Sequence, residues 1–171
     1  AQYYRDARIL PIYEGTTAIQ ANDLVGRKTA RDGGRTAKAI AAEIAKTEAE
    51  LARRDSAAAR GVLKRLAAAR KAFVEVVDFV AGQTKASPNA VFAGSVPYLM
   101  LAGNLVAGWQ MARSLLVAEE LAARGEDVPF MQAKVTTARF YADHILGKAP
   151  AMRDAIVEGA ESVTALPVES F

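Results

Sequence analysis

Residues 86–112 read ASPNAVFAGSVPYLMLAGNLVAGWQMA, a stretch without a charged side chain that decides the fold class. Its apolar residues recur at spacings of three, four and seven, which is the period of a helix rather than the alternation of a strand. A run of this length is formally a transmembrane candidate, but Ser95, Asn104 and Gln110 interrupt it with polar groups. We therefore predict a helix over 88–124, buried at the centre of a soluble bundle.

Prolines predict two details of this central helix. Ser87 followed by Pro88 is a start signal, because proline suits the first helical position, where the N–H lacks an intrahelical partner. Pro97 predicts either a kink or a restart of the helix with Ser95 as its cap. Trp109 is predicted to anchor the core rather than to bind a ligand.

The rest of the chain shows the same helical period, interrupted by glycine and proline. We predict helices over 2–8, 17–31, 36–54, 57–83 and 150–163, and one more that opens at 126–129. No segment alternates apolar with polar residues, so the predicted fold is all-α: an antiparallel helical bundle with no sheet. The side chains predicted to face the core are Ile19, Leu24, Val25, Ile40, Ile44, Thr47, Leu51, Leu63, Leu66, Phe73, Val77, Val80, Val91, Tyr98, Ala102, Leu105, Trp109, Leu116, Phe130, Ala138, Tyr141, Ile145, Met152, Ile156 and Val163.

Composition excludes several classes of protein. Of the 171 residues 51% are hydrophobic and 24% charged, a balance typical of globular rather than disordered chains. The chain has no Cys and one His, His144, which leaves no disulfide, no thiolate nucleophile and no His-cluster metal site. The absence of Cys fits a reducing compartment, and we expect a cytoplasmic protein. The net charge is +3 and the basic run over 53–71 is predicted to be a solvated helix face, so no nucleic-acid partner is expected.

A second stretch, residues 3–20 or YYRDARILPIYEGTTAIQ, carries the chemistry. Glu14 stands between bulky apolar residues and Gly15, one step before a helical pattern. Gly15 allows a close approach because it has no Cβ, and Thr17 with Gln20 has the spacing of a capping box. A carboxylate held there and shielded from water has the conditions for a raised pKa and a general-base role. A Glu ahead of a helix N-terminus is also favourable with the helix dipole alone, so the residues leave both interpretations open.

The strings RDARI and YEGTTAIQ resemble the end of the catalytic part of acyl-CoA dehydrogenases. The resemblance implies that Glu14 removes the α-proton of an acyl-CoA thioester while N5 of FAD accepts a hydride from the β-carbon. It implies that the Glu14 N–H helps polarise the thioester carbonyl, that Tyr13 and Gly15 lie against the substrate, and that Thr16 lies near the FAD. Ala18 departs from the Gln or Glu of many relatives, and Arg27 or Lys28 would take the place of their basic residue.

The later segments VPYLMLAGNLVAGWQMA and KVTTARFYADHILGKAPAM resemble the extra C-terminal helical domain of one acyl-CoA dehydrogenase subgroup, which includes methylthiopropionyl-CoA dehydrogenases. With the break at residues 32–34, this predicts that 1–34 end the catalytic helical domain and that 35–171 form the extra bundle. The chain starts without Met inside a helical pattern, so we expect a fragment of a longer enzyme. The resemblance implies a homo-oligomer and an electron-transfer flavoprotein as electron acceptor.

Two other functions stay open from the sequence. The bundle could be a subunit-assembly module with no activity of its own, which the apolar 86–112 stretch favours. Some relatives in the superfamily are tied to alkylation damage and DNA binding, but their motif departs from YEGTT and the basic residues here are scattered.

Overall fold

A computed structural model describes residues 1–12, 16–163 and 165–170, and across these ranges the chain is helical without a strand. The all-α prediction is confirmed. The α-helices are α1 (Gln2–Ala7), α2 (Thr17–Asp23), α3 (Arg35–Leu51), α4 (Ala57–Gln83), α5 (Pro88–Ala93), α6 (Ser95–Ala123), α7 (Val128–His144), α8 (Ala149–Val157) and α9 (Ala160–Val163). A π-helical segment, Leu24–Ala30, continues α2, and 3₁₀ turns cover Leu146–Lys148 and Val168–Ser170.

Short connections make neighbouring helices antiparallel. Helices α3 and α4 pack on each other across a linker of residues 52–56, at whose end the Ser56 hydroxyl accepts a hydrogen bond from the Ala59 N–H at 2.9 Å. Helices α6 and α7 pack across residues 124–127, where Gly125 (φ 78°) and Asp127 (φ 39°) make the left-handed turn. Such hairpins are the building units of a helical bundle.

Helix α6 lies at the centre of the bundle and packs against α2, α3, α4, α7 and α8. Its Tyr98 is fully buried, with its ring centroid 5.9 Å from that of Phe73 on α4. The predicted core positions that are buried are Val25, Ile44, Thr47, Leu51, Leu66, Phe73, Val77, Val80, Val91, Tyr98, Leu105, Leu116, Ala138 and Ile156. The charge-free stretch is therefore a bundle core, and no helix among the described residues is long and apolar enough to cross a membrane.

The predicted central helix is divided at Gly94. Helix α5 begins after Ser87 with Pro88 in its first turn, as predicted, but ends at Ala93. A new helix begins at Ser95 with Gly94, not Ser95, at the N-cap position. A Cβ on Gly94 would lie 2.8 Å from Ile156 Cγ2, so glycine here lets α8 approach the junction closely.

Three predicted core positions are wrong, because Ile19, Phe130 and Val163 are all exposed. Ile40 is also partly exposed, at 39%, although it lies one turn from the buried Ile44. The predicted helix over 150–163 breaks after Val157. These exposed apolar side chains belong to helix faces that nothing within the described part of the chain covers.

Polar side chains cross-link the helices at the edge of the core. The Trp109 indole donates a hydrogen bond from Nε1 to Thr47 Oγ1 at 2.8 Å, which fixes α6 against α3 and agrees with a core role for Trp109. Glu48, mostly buried on α3, accepts two hydrogen bonds from the Arg70 guanidinium on α4, at 2.7 and 2.8 Å. A bidentate pair of this kind fixes the relative position of its two helices.

Candidate functional site

The loop between α1 and α2 carries the YEGTT motif. Tyr13, Glu14 and Gly15, the predicted substrate contacts and base, lie outside the described residues. Thr16, the predicted cofactor contact, is half-buried at the N-cap position of α2. Its carbonyl accepts the Gln20 N–H at 2.8 Å, but its hydroxyl caps no N–H of the helix. Thr17 is the first helical residue, so the prediction that Thr17 forms a capping box with Gln20 is wrong.

Large apolar side chains are exposed on both sides of the motif. Ile9, Leu10 and Ile12 precede it, and Ile19, 66% exposed, follows it on α2. Surface hydrophobic residues are ordinary singly, but a group of them along a dozen residues marks a face that a partner or another part of a protein covers. The described residues on both sides of the motif therefore present exposed apolar side chains.

The segment after α2 ties this surface to the bundle. It continues as the π-helical segment Leu24–Ala30, in which the Arg31 N–H bonds to the Gly26 carbonyl at 3.2 Å, five residues back. Val25 and Thr29 are buried, and the Thr29 and Tyr98 hydroxyls share a hydrogen bond at 2.9 Å. Burial raises the pKa of the Tyr98 phenol, so this hydroxyl stays protonated.

A rigid turn ends the π-helical segment and starts α3. The Asp32 carboxylate accepts the N–H of Gly34 and both the N–H and the hydroxyl of Thr36, at 2.9, 2.9 and 2.6 Å. These bonds, led by the Thr36 hydroxyl, lower the pKa of Asp32. Gly34 has φ 79° and comes so close to α4 that a Cβ would lie 2.5 Å from Val77 Cγ1, so only glycine fits this turn. The direction of the chain between the motif and the bundle is thus fixed.

An apolar cavity of about 160 Å³ lies under the π-helical segment. Leu24 and Thr29 line it from that segment, Ile40 from α3, Phe73 from α4, and Tyr98 and Ala102 from α6. The cavity was not predictable from the sequence, because its walls come from four separate elements that meet only in the folded chain. The one local hint is that Thr29 follows Val25 at helical spacing, which places a hydroxyl on the apolar side.

Other candidate side chains do not form a site. Arg27 is paired with Asp23 at 3.1 Å, whereas Lys28 lines the cavity. The ring of His144 lies 4.5 Å from that of Phe140 at the end of α7, so His144 packs against its neighbour on the same helix. Within the described ranges no three His, Asp or Glu side chains come together as metal ligands.

Comparison with known proteins identifies what this architecture is similar to. Residues 38–167 match the family described as acetyl-CoA dehydrogenase C-terminal like. A 3-methylmercaptopropionyl-CoA dehydrogenase of Ruegeria pomeroyi is 52% identical over 95% of this chain. The broad-specificity linear acyl-CoA dehydrogenase FadE5 of Mycobacterium tuberculosis is 35% identical over 91% of this chain, and a butyryl-CoA dehydrogenase of Syntrophomonas wolfei is 29% identical over all of this chain. The chain spans 28%, 26% and 28%, respectively, of these relatives.

Proposed function

The chain belongs to the acyl-CoA dehydrogenase family, and from this we propose that it is the C-terminal region of a longer enzyme that oxidises an acyl-CoA thioester between its α- and β-carbons. The observation that carries the proposal is the 52% identity to a 3-methylmercaptopropionyl-CoA dehydrogenase across 95% of the chain. The three relatives share the reaction in their names but differ in acyl group. The proposal therefore concerns the reaction first and the acyl group second.

Glu14 is the proposed base, and it takes the proton from the α-carbon. Thioester α-protons are weakly acidic, so the carboxylate must be shielded from water and the developing enolate must be stabilised at the same time. Four exposed apolar side chains support the first requirement, because the rest of the enzyme would exclude water from this region by covering them: Ile9, Leu10, Ile12 and Ile19. The Glu14 N–H is the proposed donor to the thioester oxygen, with Tyr13 and Gly15 against the substrate.

The residues near the motif fit a flavin. The half-buried Thr16 hydroxyl caps no helix N–H, which leaves it able to hydrogen-bond FAD, and the neighbouring apolar surface suits a cofactor held between subunits or domains. When bound, FAD supplies the acceptor for the hydride that leaves the β-carbon. Residues 1–34 would thus complete the catalytic region, and 35–171 would form the extra bundle.

The substrate and partners follow from the named relatives. We propose an acyl-CoA with a short chain, of the size of 3-methylmercaptopropionyl-CoA or butyryl-CoA. The proposed electron acceptor is the electron-transfer flavoprotein that the family resemblance implies. A cytoplasmic location stays a prediction. A panel of acyl-CoA thioesters of increasing length, assayed with the full-length enzyme, tests the acyl group: kcat/KM should be highest for the short substrates and fall for long ones.

The reaction is tested by Glu14→Gln in the full-length enzyme. The amide keeps the size of the side chain but cannot take a proton, so we expect turnover to fall by at least about a hundredfold, the lower bound of general-base catalysis. The flavin content should be unchanged. Glu126→Gln, an exposed position between α6 and α7, is the matched control and should keep full activity. Normal turnover by Glu14→Gln would remove Glu14 from the mechanism.

One observation favours the second function, a subunit-assembly module. Val96, Met100, Val106 and Val117 are exposed on the otherwise central α6, and Met100 is 51% exposed. A charge there would prevent this face from being buried in an oligomer. Sedimentation equilibrium should show self-association of the chain. Met100→Glu should abolish this self-association, whereas Gln132→Glu, at an exposed position on α7, should leave it intact. A monomeric parent chain would contradict this function.

A further inference from the structure

The cavity under the π-helical segment has the size and enclosure of a small-molecule site. Its volume is about 160 Å³, and apolar cavities of about 150 Å³ hold a benzene-sized molecule. Side chains of Phe73, Tyr98 and Ala102 form buried or half-buried walls, whereas Lys28, Ile40 and Val106 are exposed at its opening. A flexible Lys side chain at the opening leaves a path for entry. The described residues that line the cavity are not among those assigned to the proposed reaction, so this inference does not depend on the proposed function.

The buried hydroxyl pair in the cavity wall has an unused donor. Thr29 is 1% and Tyr98 0% exposed, and both line the cavity. Each hydroxyl carries one proton, but the two share a single hydrogen bond at 2.9 Å, and within the described residues neither makes another. Whichever oxygen donates in that bond, the second proton has no acceptor among the residues that the structure describes. A buried donor without a partner costs free energy, so the pair favours a molecule that brings an oxygen into the cavity.

The local backbone is of the kind that proteins use at binding sites. Leu24, Lys28 and Thr29 all come from the π-helical segment, and π-helical turns are frequently found at functional sites. Gly34 and Asp32 hold the end of this segment against α4, so the cavity wall is braced rather than free to collapse.

We propose that this cavity binds a small neutral molecule with an apolar body and one hydrogen-bond-accepting oxygen, such as a cyclic or short-chain ketone. The apolar body fills the space between α3, α4 and α6, and the oxygen accepts the spare proton of the Thr29–Tyr98 pair. A charged head group does not fit, because the enclosed part of the cavity offers no counter-charge, and the one cationic side chain that lines it, Lys28, is exposed at the opening.

Cyclohexanone and methylenecyclohexane test the proposal, since they share a shape and differ in the acceptor oxygen. We expect saturable binding of cyclohexanone to the 171-residue chain by NMR titration, and binding of methylenecyclohexane that is about five- to tenfold weaker, the value of one hydrogen bond. Equal affinity for the two probes, or no saturable binding of cyclohexanone because a water holds the site, would overturn the proposal.

Variants locate the binding. Ala102→Leu fills the cavity and should abolish binding, while Ala123→Leu, exposed on the same helix, should not change it. Thr29→Val or Tyr98→Phe alone still leaves one free hydroxyl proton, so only the double variant should make the affinities of the two probes equal. Circular dichroism of each variant confirms that it is folded. If folded Ala102→Leu binds cyclohexanone as tightly as the parent chain, the probe binds elsewhere and the proposal is overturned. The same follows if the double variant still prefers cyclohexanone.

Discussion

Replacement of Gly108 by alanine probes how tightly the centre of the bundle is packed. Gly108 is buried within α6, and a Cβ built there lies 2.6, 2.7 and 2.9 Å from Cδ1, Cδ2 and Cγ of Leu146. Leu146 is itself fully buried in the 3₁₀ turn before α8, so it has no free space to move into. Gly103 on the same helix is exposed and has no atom within 4 Å of such a Cβ, which makes it the matched control.

The difference between the two variants isolates packing, because both gain the same helix propensity. Gly103→Ala should stabilise the chain by about 0.5–1 kcal/mol. Gly108→Ala gains that amount and loses about 1–3 kcal/mol to overpacking. The two melting temperatures should therefore differ by about 2–12 °C for a chain of this length, with Gly108→Ala the lower.

Thermal and urea unfolding followed by circular dichroism measure this difference. Leu146→Ala removes the three clashing atoms at a cost of about 2–5 kcal/mol. In that background, Gly108→Ala should be no worse than Gly103→Ala, so the two substitutions couple by at least about 1 kcal/mol. Equal stability of the two glycine variants in the parent chain, or a difference that persists beside Leu146→Ala, would refute the packing of α6 against this turn.

Two further variants test the polar contacts. Glu48→Gln breaks the bidentate pair with Arg70 and should lower the free energy of unfolding, measured in urea, by about 2–3 kcal/mol. The control Glu43→Gln, on the exposed side of α3, should have little effect. Equal effects of the two variants would contradict a structural role for the pair. Asp32→Asn should lower the melting temperature at neutral pH. The pKa of Asp32 is depressed in the folded chain, so the advantage of the carboxylate is present above the unfolded value of about 4 and is lost as the pH falls through the lower folded value. A pH-independent difference between Asp32→Asn and the parent chain would contradict the hydrogen bonds that hold Asp32.

The central helix and its burial were predictable because the relevant signal is local. A long stretch without charged residues, whose apolar residues recur at helical spacing, predicts a buried helix. Ser87 followed by Pro88 predicts where this helix begins. A restart near Ser95 was predictable from Pro97, but Gly94 as its N-cap was not, since the need for glycine there comes from Ile156, which belongs to another helix. Exposure of Ile19 and Phe130 has a similar reason: an apolar side chain signals that a surface will be covered, not which part of a protein covers it.

The candidate site also has one part that is visible in the sequence and one part that is not. The motif could be recognised in the sequence because its residues are contiguous and resemble a family. Its three central residues lie outside the described structure, so their roles stay predictions. The Thr29–Tyr98 pair joins positions 69 residues apart, and the π-helical segment leaves no trace in the hydrophobic period. Contacts of this kind are set by tertiary packing and are invisible in a single sequence.

The proposed role of Glu14 is to remove the α-proton, and proton exchange measures that step alone. An acyl-CoA without β-hydrogens, such as 3,3-dimethylbutyryl-CoA deuterated at the α-carbon, cannot lose a hydride, so loss of its deuterium to water reports the base separately from the flavin. In the full-length enzyme we predict exchange by the parent protein and by Glu126→Gln, detected by NMR, and none by Glu14→Gln with its FAD still bound. Exchange at the parent rate by Glu14→Gln would contradict the role of Glu14 as the base.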